Sequence, residues 1–205
     1  MSATAAVHEK ALPRDPVAIV GVLLAAGRGE RFGGNKLLAR LTQGTLVGIA
    51  AARHLISALP YSVAVLRPDD ETLKQLLTAE GLHIVTNPNA DEGLGTSLAC
   101  GVAATEADGW VIALADMPAI RSETIMAVAA ALAAGAPLAA PIYRGQRGHP
   151  IGFAKPFQSA LMSLVGDQGG RDILKRHKNE LHLIEVDDPG VLVDIDHLTD
   201  LADSH

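Results

Sequence analysis

The chain has 205 residues, 48% apolar but only 3% aromatic, so Ala, Leu, Val and Ile must fill an interior of roughly one-domain size. A formal charge of −6 excludes a broad basic nucleic-acid surface, although it permits one local basic pocket. A single cysteine, Cys100, excludes a disulfide framework and a cysteine metal cage. No apolar run is long enough to span a bilayer, and the opening "MSATAAVHEKALPRDP" lacks the apolar core of a signal peptide. These features fit a cytoplasmic enzyme with no membrane or nucleic-acid partner.

Residues 1–16 read as a flexible tail and 17–205 as one domain. "VAIVGVLL" (17–24) has no polar alternation, the pattern of a strand buried on both faces. "LVGIAAARHLISAL" (46–59) predicts a helix ending at Pro60. "YSVAVL" then reads as a strand, "DDETLKQLLTAE" as a helix with acidic residues at its start, and "LHIVTN" as a strand. "TSLACGVAATEA" predicts a helix capped by Thr96 or Ser97, with Cys100 in its core. "GWVIALADMP" predicts a strand running into Asp116, and "SETIMAVAAALAAG" a helix with Gly135 near its end. "APIYRGQRGHPIGF" breaks the alternation with turn residues, predicting a hairpin insertion over one face. A helix near "FQSALMSL", the "GDQGGRDILKRH" turn and helix, strands at "LHLIEV" and "VLVDID", and a closing helix complete the chain. The alternation implies an α/β fold with a mostly parallel sheet flanked by helices.

The chemistry starts at "LLAAGRGERFGGNK" (23–36), where an apolar strand stops and a basic, glycine-rich loop begins. A dinucleotide fingerprint needs a third glycine where Phe32 stands. A P-loop needs Lys-Ser/Thr directly after its last glycine, but Asn35 follows Gly34 and Leu37 follows Lys36. What remains is an open loop in which amides cradle a triphosphate while Arg28, Arg31 and Lys36 neutralise it. Asp116, between a buried strand and Pro118, should emerge at the carboxyl edge of the sheet, where ligands bind in open α/β folds. There it could hold Mg²⁺ against phosphates or cap the next turn. Asp194 and Asp196 alternate along "VLVDID" and should share a face, with Asp194 slightly preferred as a ligand because it continues the apolar strand. "GDQGGR" offers a second anion site at a helix start, with Arg171.

The opening loop resembles the L-A-A-G-x-G-x-R-[FM]…K signature of nucleotidyltransferases. "NPNADEGLGTSLACGV", "ALADMPAI", "YRGQRGHPIGF", "GDQGGRDIL" and "DIDHLTDL" follow in the order of the MobA-like members that build molybdenum cofactor dinucleotides, notably the molybdenum cofactor cytidylyltransferases. The resemblance runs from Val17 almost to the C-terminus. It implies a three-layer Rossmann-like nucleotidyltransferase fold and transfer of CMP from CTP to the terminal phosphate of molybdopterin, releasing pyrophosphate. Mg²⁺, with Mn²⁺ as an alternative, would be held by Asp116 with Asp194, Asp196 or both. Arg31, Lys36 and Asp116 would be catalytic. Leu24, Ala25, Ala26, Gly27, Arg28, Gly95, Thr96 and Ser97 would bind nucleotide, and Arg147, Gly148, His149, Pro150 and Arg171 the acceptor. A client molybdoenzyme or its chaperone would receive the product. The family's usual D-I-D-T-P reads D-I-D-H-L here, at His197 and Leu198, which leaves the choice between the two aspartates open. Guanylyl relatives carry L-A-G-G where this chain has Ala26, whose methyl would crowd a purine. Transfer to another phosphorylated acceptor, GTP as donor, and a non-catalytic cofactor chaperone remain the alternatives.

Overall fold

The computed structural model describes residues 17–203 except Glu30, Arg31 and Gly33. The expected tail, residues 1–16, and the catalytic candidate Arg31 therefore lie outside the described residues. Four strands, β1 (Val17–Leu24), β2 (Ser62–Leu66), β3 (His83–Thr86) and β4 (Ala107–Leu114), lie parallel in the order β3-β2-β1-β4. Helices α1 (Val47–Ala58), α2 (Glu71–Ala79) and α3 (Leu94–Ala103) follow β1, β2 and β3, and α4 (Ser122–Ala133) follows β4. Two parallel pairs, β1–β2 and β2–β3, are joined through one helix each, and α3 crosses back to place β4 beside β1, in keeping with the predicted alternation.

Beyond β4 the sheet changes direction. Strand β7 (Ile151–Ala154) is antiparallel to both β4 and β5 (Leu138–Tyr143), and β8 (Leu181–Glu185) runs parallel along β5. The short β6 (Gln146–Arg147) folds back on the end of β5 through Arg144–Gly145, both at positive φ. Since β8 occupies one edge of β5 over residues 138–142, β6 and β7 must share the other. The hairpin is thus built into the sheet and does not lie over a face as expected. Helices α5 (Gln158–Met162), α6 (Arg171–Arg176) and the short α7 (Asp200–Asp203) finish the fold.

Two cores cover the two faces, giving the three-layer α/β arrangement. Alternation along β1 sends Leu23 to one side, where it joins Leu55 of α1, Leu73 and Leu77 of α2, and Val128 of α4. Val22 and Leu24 point to the other, against Leu98 and Val102 of α3, Leu161 of α5 and Ile173 of α6. Trp110, fully buried, satisfies its indole N–H on Thr105 Oγ1 at 2.8 Å.

Two local expectations are corrected. Helix α3 starts at Leu94 with Gly93 as its cap residue, so neither Thr96 nor Ser97 caps it; the positive φ of Gly93 (122°) sets that start. "VLVDID" is not a strand: Pro189–Leu192 forms a 3-10 turn and residues 193–196 have no strand partner among the described residues. The apolar alternation imitated a strand, but Gly190 packs so tightly on Ala119 that a Cβ there would lie 2.2 Å from its carbonyl oxygen, and the chain turns instead. Asp194 and Asp196 are consequently placed by that turn and by one backbone bond, Ile195 N–H to Asp116 O at 2.8 Å. Among the described residues no helix is long and apolar enough to cross a membrane.

Candidate functional site

The carboxyl ends of β1, β2 and β4 open into a cleft of about 600 Å³. Its floor is the end of β1 and the loop after it, Leu24 to Gly29, tied to the sheet by Ala25 N–H to Val65 O (3.0 Å) and Ala115 N–H to Leu24 O (3.1 Å). A Cβ added at Gly27 or Gly34 would meet open space, whereas Gly29 (φ 62°) needs glycine both for its conformation and for its contact with Gly34 O. The loop therefore leaves backbone and empty volume where a ligand can approach closely.

At one end of the cleft Lys36 gathers two carboxylates. Its Nζ lies 2.7 Å from Asp116 Oδ2 and 3.1 Å from Asp196 Oδ1. The 3-10 turn Lys36–Leu38, capped by the Asn35 side chain on Leu37 N–H, carries the lysine inward while Leu37 anchors in the core. Asp116 arrives from β4, and Asp196 from the late segment whose neighbour Ile195 is fully buried. Burial alone would lower the Lys36 pKa; the hydrogen bonds and attraction of Asp116, then Asp196, outweigh it and hold the ammonium above its usual 10.5. Asp196 N–H and His197 N–H both donate to Asp200 Oδ2, and these bonds hold the Asp200 carboxyl below its usual range.

At the cleft mouth Asp91 bridges two arginines. Arg28 Nη2 lies 2.7 Å from Asp91 Oδ1, and Arg67 Nη2 bonds the same oxygen while its Nη1 reaches Ala26 O at 3.4 Å. The guanidiniums, Arg67 first, hold Asp91 below the usual carboxylate range. Asn87 lies behind the wall, donating to the Thr96 and Ser97 hydroxyls at 3.0 Å each.

Of the sequence-predicted residues, Leu24, Ala25, Ala26, Gly27, Arg28, Lys36, Ser97, Asp116 and Asp196 all line this cleft. Asp194, the slightly preferred aspartate, is exposed and outside the lining, because the segment turns where a strand was expected. Gly95 and Thr96 stand behind the lining. Gly95 receives the 165–168 loop, where a Cβ would lie 2.6 Å from Gln168 O, and the Thr96 hydroxyl bonds Gly93 O and Asn89 O at 2.9 Å.

The acceptor candidates also lie outside the lining but close to its acidic end: Asp116, Arg147 and Arg171 all act electrostatically on His149. Burial is the main cause holding the His149 pKa below its usual 6.5, and its Nδ1 is buried without a hydrogen-bond partner among the described residues. Gly148 has a packing role, since a Cβ would sit 2.3 Å from Val191 O. Burial raises the Cys100 thiol pKa, which disfavours a reactive thiolate.

Sequence reasoning missed Arg67, Asp91 and Asn87. Arg67 had a usable signal, because it directly follows a buried strand as Asp116 nearly does, and parallel pairing brings both to one edge. Among the described residues no group of three or more His, Cys, Asp or Glu is arranged to hold a metal. Asp116 and Asp196, converging on one cationic point, do fit a divalent ion that takes one or two carboxylates and completes its shell with phosphate and water.

Known proteins resemble this chain in sequence and fold. The sequence profile of the MobA-like NTP transferase domain matches residues 21–181. The purine catabolism protein PucB of Bacillus subtilis (strain 168) is 30% identical over 191 residues, covering 87% of this chain and 91% of its own. Nicotine blue oxidoreductase of Paenarthrobacter nicotinovorans is 30% identical over 188 residues, 87% of this chain and 92% of its own. Molybdenum cofactor cytidylyltransferase of Escherichia coli (strain K12) is 24% identical over 179 residues, 87% and 91% respectively. Among solved structures, Rv0371c of Mycobacterium tuberculosis H37Rv superposes with a TM-score of 0.80 at 24% identity, covering 93% of this chain and all of its own. A nucleotidyl transferase from Methanothermobacter thermautotroptrophicus superposes at 0.76 with 25% identity, covering 89% and 94%. A glycine loop, an edge lysine and two converging carboxylates on this sheet, together with a profile match over most of the sequence, make the chain a member of the MobA-like NTP transferase family, whose chemistry is nucleotidyl transfer.

Proposed function

We propose that the chain transfers CMP from CTP to the terminal phosphate of molybdopterin, forming the cytosine dinucleotide and pyrophosphate. The observation that carries this reading is the meeting of Lys36, Asp116 and Asp196 beside an open glycine loop, in a cleft large enough for a nucleotide. An acceptor phosphate oxygen attacks the α-phosphorus of CTP in line; the new O–P bond forms as the bond to the β-phosphate oxygen breaks. Pyrophosphate leaves with that electron pair. An ionised acceptor phosphate needs no protein base. Mg²⁺ or Mn²⁺, held by Asp116 and Asp196, would supply charge neutralisation and orientation at the phosphates. Lys36 turns from the carboxylates toward the charge that develops on the α-phosphate and leaving group, and Arg31 joins it on the strength of its sequence position. Arg28 leaves Asp91 for the triphosphate tail. The loop backbone from Leu24 to Gly27, with Ala26 against the base, and Ser97, supported from behind by Gly95 and Thr96, receive the nucleoside.

Arg147, His149 and Arg171 bind the acceptor's phosphate or pterin, and the partnerless Nδ1 of His149 is an atom that such a ligand could satisfy. Gly148 and Pro150 shape that segment. The product would pass to a client molybdoenzyme or its chaperone. The cytidylyl reading draws on the resemblance to the Escherichia coli relative and on Ala26 in place of a second glycine.

A second reading follows from the names of the two relatives at 30% identity, neither of which mentions cytidylyl transfer: the same machinery with another acceptor or donor. A redox dinucleotide role fits less well, because Phe32 replaces the glycine that allows close helix packing in that fingerprint. The test is pyrophosphate release from purified protein across a matrix of CTP and GTP against molybdopterin, its metallated form and unrelated phosphomonoesters. Release that requires CTP and a molybdopterin form supports the proposal; release only with another pair assigns the second reading.

A further inference from the structure

Asn87 is only 3% exposed and lies outside the cleft lining. Its amide orientation is fixed, because Oδ1 accepts from the backbone N–H of Asn89 at 3.0 Å, and a backbone amide can only donate. Nδ2 must therefore face α3, where it lies 3.0 Å from Thr96 Oγ1 and 3.0 Å from Ser97 Oγ. An NH₂ group can only donate, so both hydroxyl oxygens act as acceptors toward Asn87.

Each hydroxyl then has one proton left to place. Thr96 spends its proton on the carbonyls of Gly93 and Asn89, both at 2.9 Å. Ser97, only 3% exposed as a residue, has no acceptor among the described residues, although it lines the cleft. A buried hydroxyl proton without an acceptor is costly, and the open direction is the cleft itself. We propose that Asn87 is a positioning residue: by saturating Ser97 from behind, it commits the Ser97 hydroxyl to donate into the cleft, toward an acceptor oxygen or nitrogen of the nucleoside half of the substrate. This rests on the reading of the cleft as a nucleotide site, and adds to it the polarity of one contact and the residue that sets it.

The decisive substitution is Asn87→Asp. A carboxylate of nearly the same shape keeps the bond from Asn89 N–H but accepts where the amide donated, so Ser97 must turn its proton backward and its cleft-facing donor is lost. Dissociation constants for CTP, cytidine and inorganic tripolyphosphate are measured on the full chain, with kcat and KM alongside. Asn87→Asp and Ser97→Ala should each weaken CTP and cytidine roughly 3- to 10-fold, the worth of one ligand hydrogen bond, with the loss in KM more than in kcat. The double variant should be no weaker than either single one, and tripolyphosphate affinity should not move.

Wild-type affinity in Ser97→Ala overturns the proposal without depending on how well Asn87→Asp folds. So do additive effects, or an equal loss for tripolyphosphate, which would mark a general disturbance of the cleft. Failure of the wild-type protein to bind CTP or GTP would instead overturn the nucleotide reading beneath it.

Discussion

Replacing Lys36 with methionine keeps the side chain's length and apolar stem but removes the ammonium that separates Asp116 from Asp196. The two oxygens now 2.7 and 3.1 Å from Nζ would face each other without a counter-charge. Breaking a buried ion pair from one side costs about 3–5 kcal/mol, and an exposed pair contributes at most about 1. Here the side chains of Lys36, Asp116 and Asp196 retain 12%, 24% and 37% exposure, so solvent screens part of the repulsion. A loss of about 1–2 kcal/mol follows, equivalent to roughly 2–8 °C in Tm for a chain of this size. Millimolar Mg²⁺ or Mn²⁺ should recover more stability in the variant than in the wild type, because the vacated cationic point favours a divalent ion.

The pKa sets where this difference disappears. The folded pKa of Lys36 lies above its unfolded value, so its contribution is complete below pH 10.5 and fades as pH rises through the raised folded value. The Tm gap between wild type and K36M should therefore be constant through neutrality and close only in strong alkali. Turnover at saturating substrate should fall about 10²- to 10³-fold if the ammonium stabilises developing phosphate charge. Thermal denaturation with and without divalent cation, paired with single-turnover rates, reads all of this. An unchanged or higher Tm in the metal-free variant, with turnover near wild type, would refute the reasoning.

Asp196→Asn should lower turnover roughly tenfold or more and weaken divalent-cation binding, whereas Asp194→Asn, on an exposed residue outside the cleft, should do neither. Titration of Mn²⁺ against each variant separates the two. Ala26→Gly should shift the CTP-to-GTP ratio of kcat/KM toward GTP, by an amount on the order of 1–3 kcal/mol for one methyl in a pocket, and an unchanged ratio would place base selection elsewhere. His149 has a folded pKa below its unfolded 6.5, so the unfolded chain takes up its proton first and stability falls as pH drops below 6.5 toward the folded value. Tm profiles between pH 8 and 5 should therefore be steeper for wild type than for His149→Gln, and parallel profiles would remove burial of a neutral imidazole from the account.

Much of this was legible in the sequence because local pattern and tertiary role coincide. "VAIVGVLL" had to be buried on both faces, and the end of such a strand must deliver its next residues to the sheet edge, which is why Ala25 to Arg28 and Asp116 were found where they stand. The late aspartates show the opposite case. "VLVDID" carries a strand's periodicity, yet close packing of Gly190 on Ala119 and the Ile195–Asp116 backbone bond override it. That contact brings Asp196 to Lys36, 160 positions earlier, and leaves Asp194 outside. Asn87 and Asp91 were hidden for a related reason: each takes its role from a partner on another element, and "NPNADEG" alone reads as a polar turn. The hairpin was seen as an interruption, but the insertion of its second long strand, β7, between β4 and β5 depends on pairing with β4 far back in the sequence, which no local window contains.

Nucleotidyl transfer breaks the bond between the α- and β-phosphates and keeps the nucleotidyl half on an acceptor. Parallel reactions of the purified chain with α-labelled and γ-labelled CTP, Mg²⁺ and molybdopterin test it directly. The α-label should appear in a molybdopterin-linked product and the γ-label in pyrophosphate, in equal amounts. A γ-label recovered as inorganic phosphate, or an α-label left wholly in free nucleotide, would contradict it.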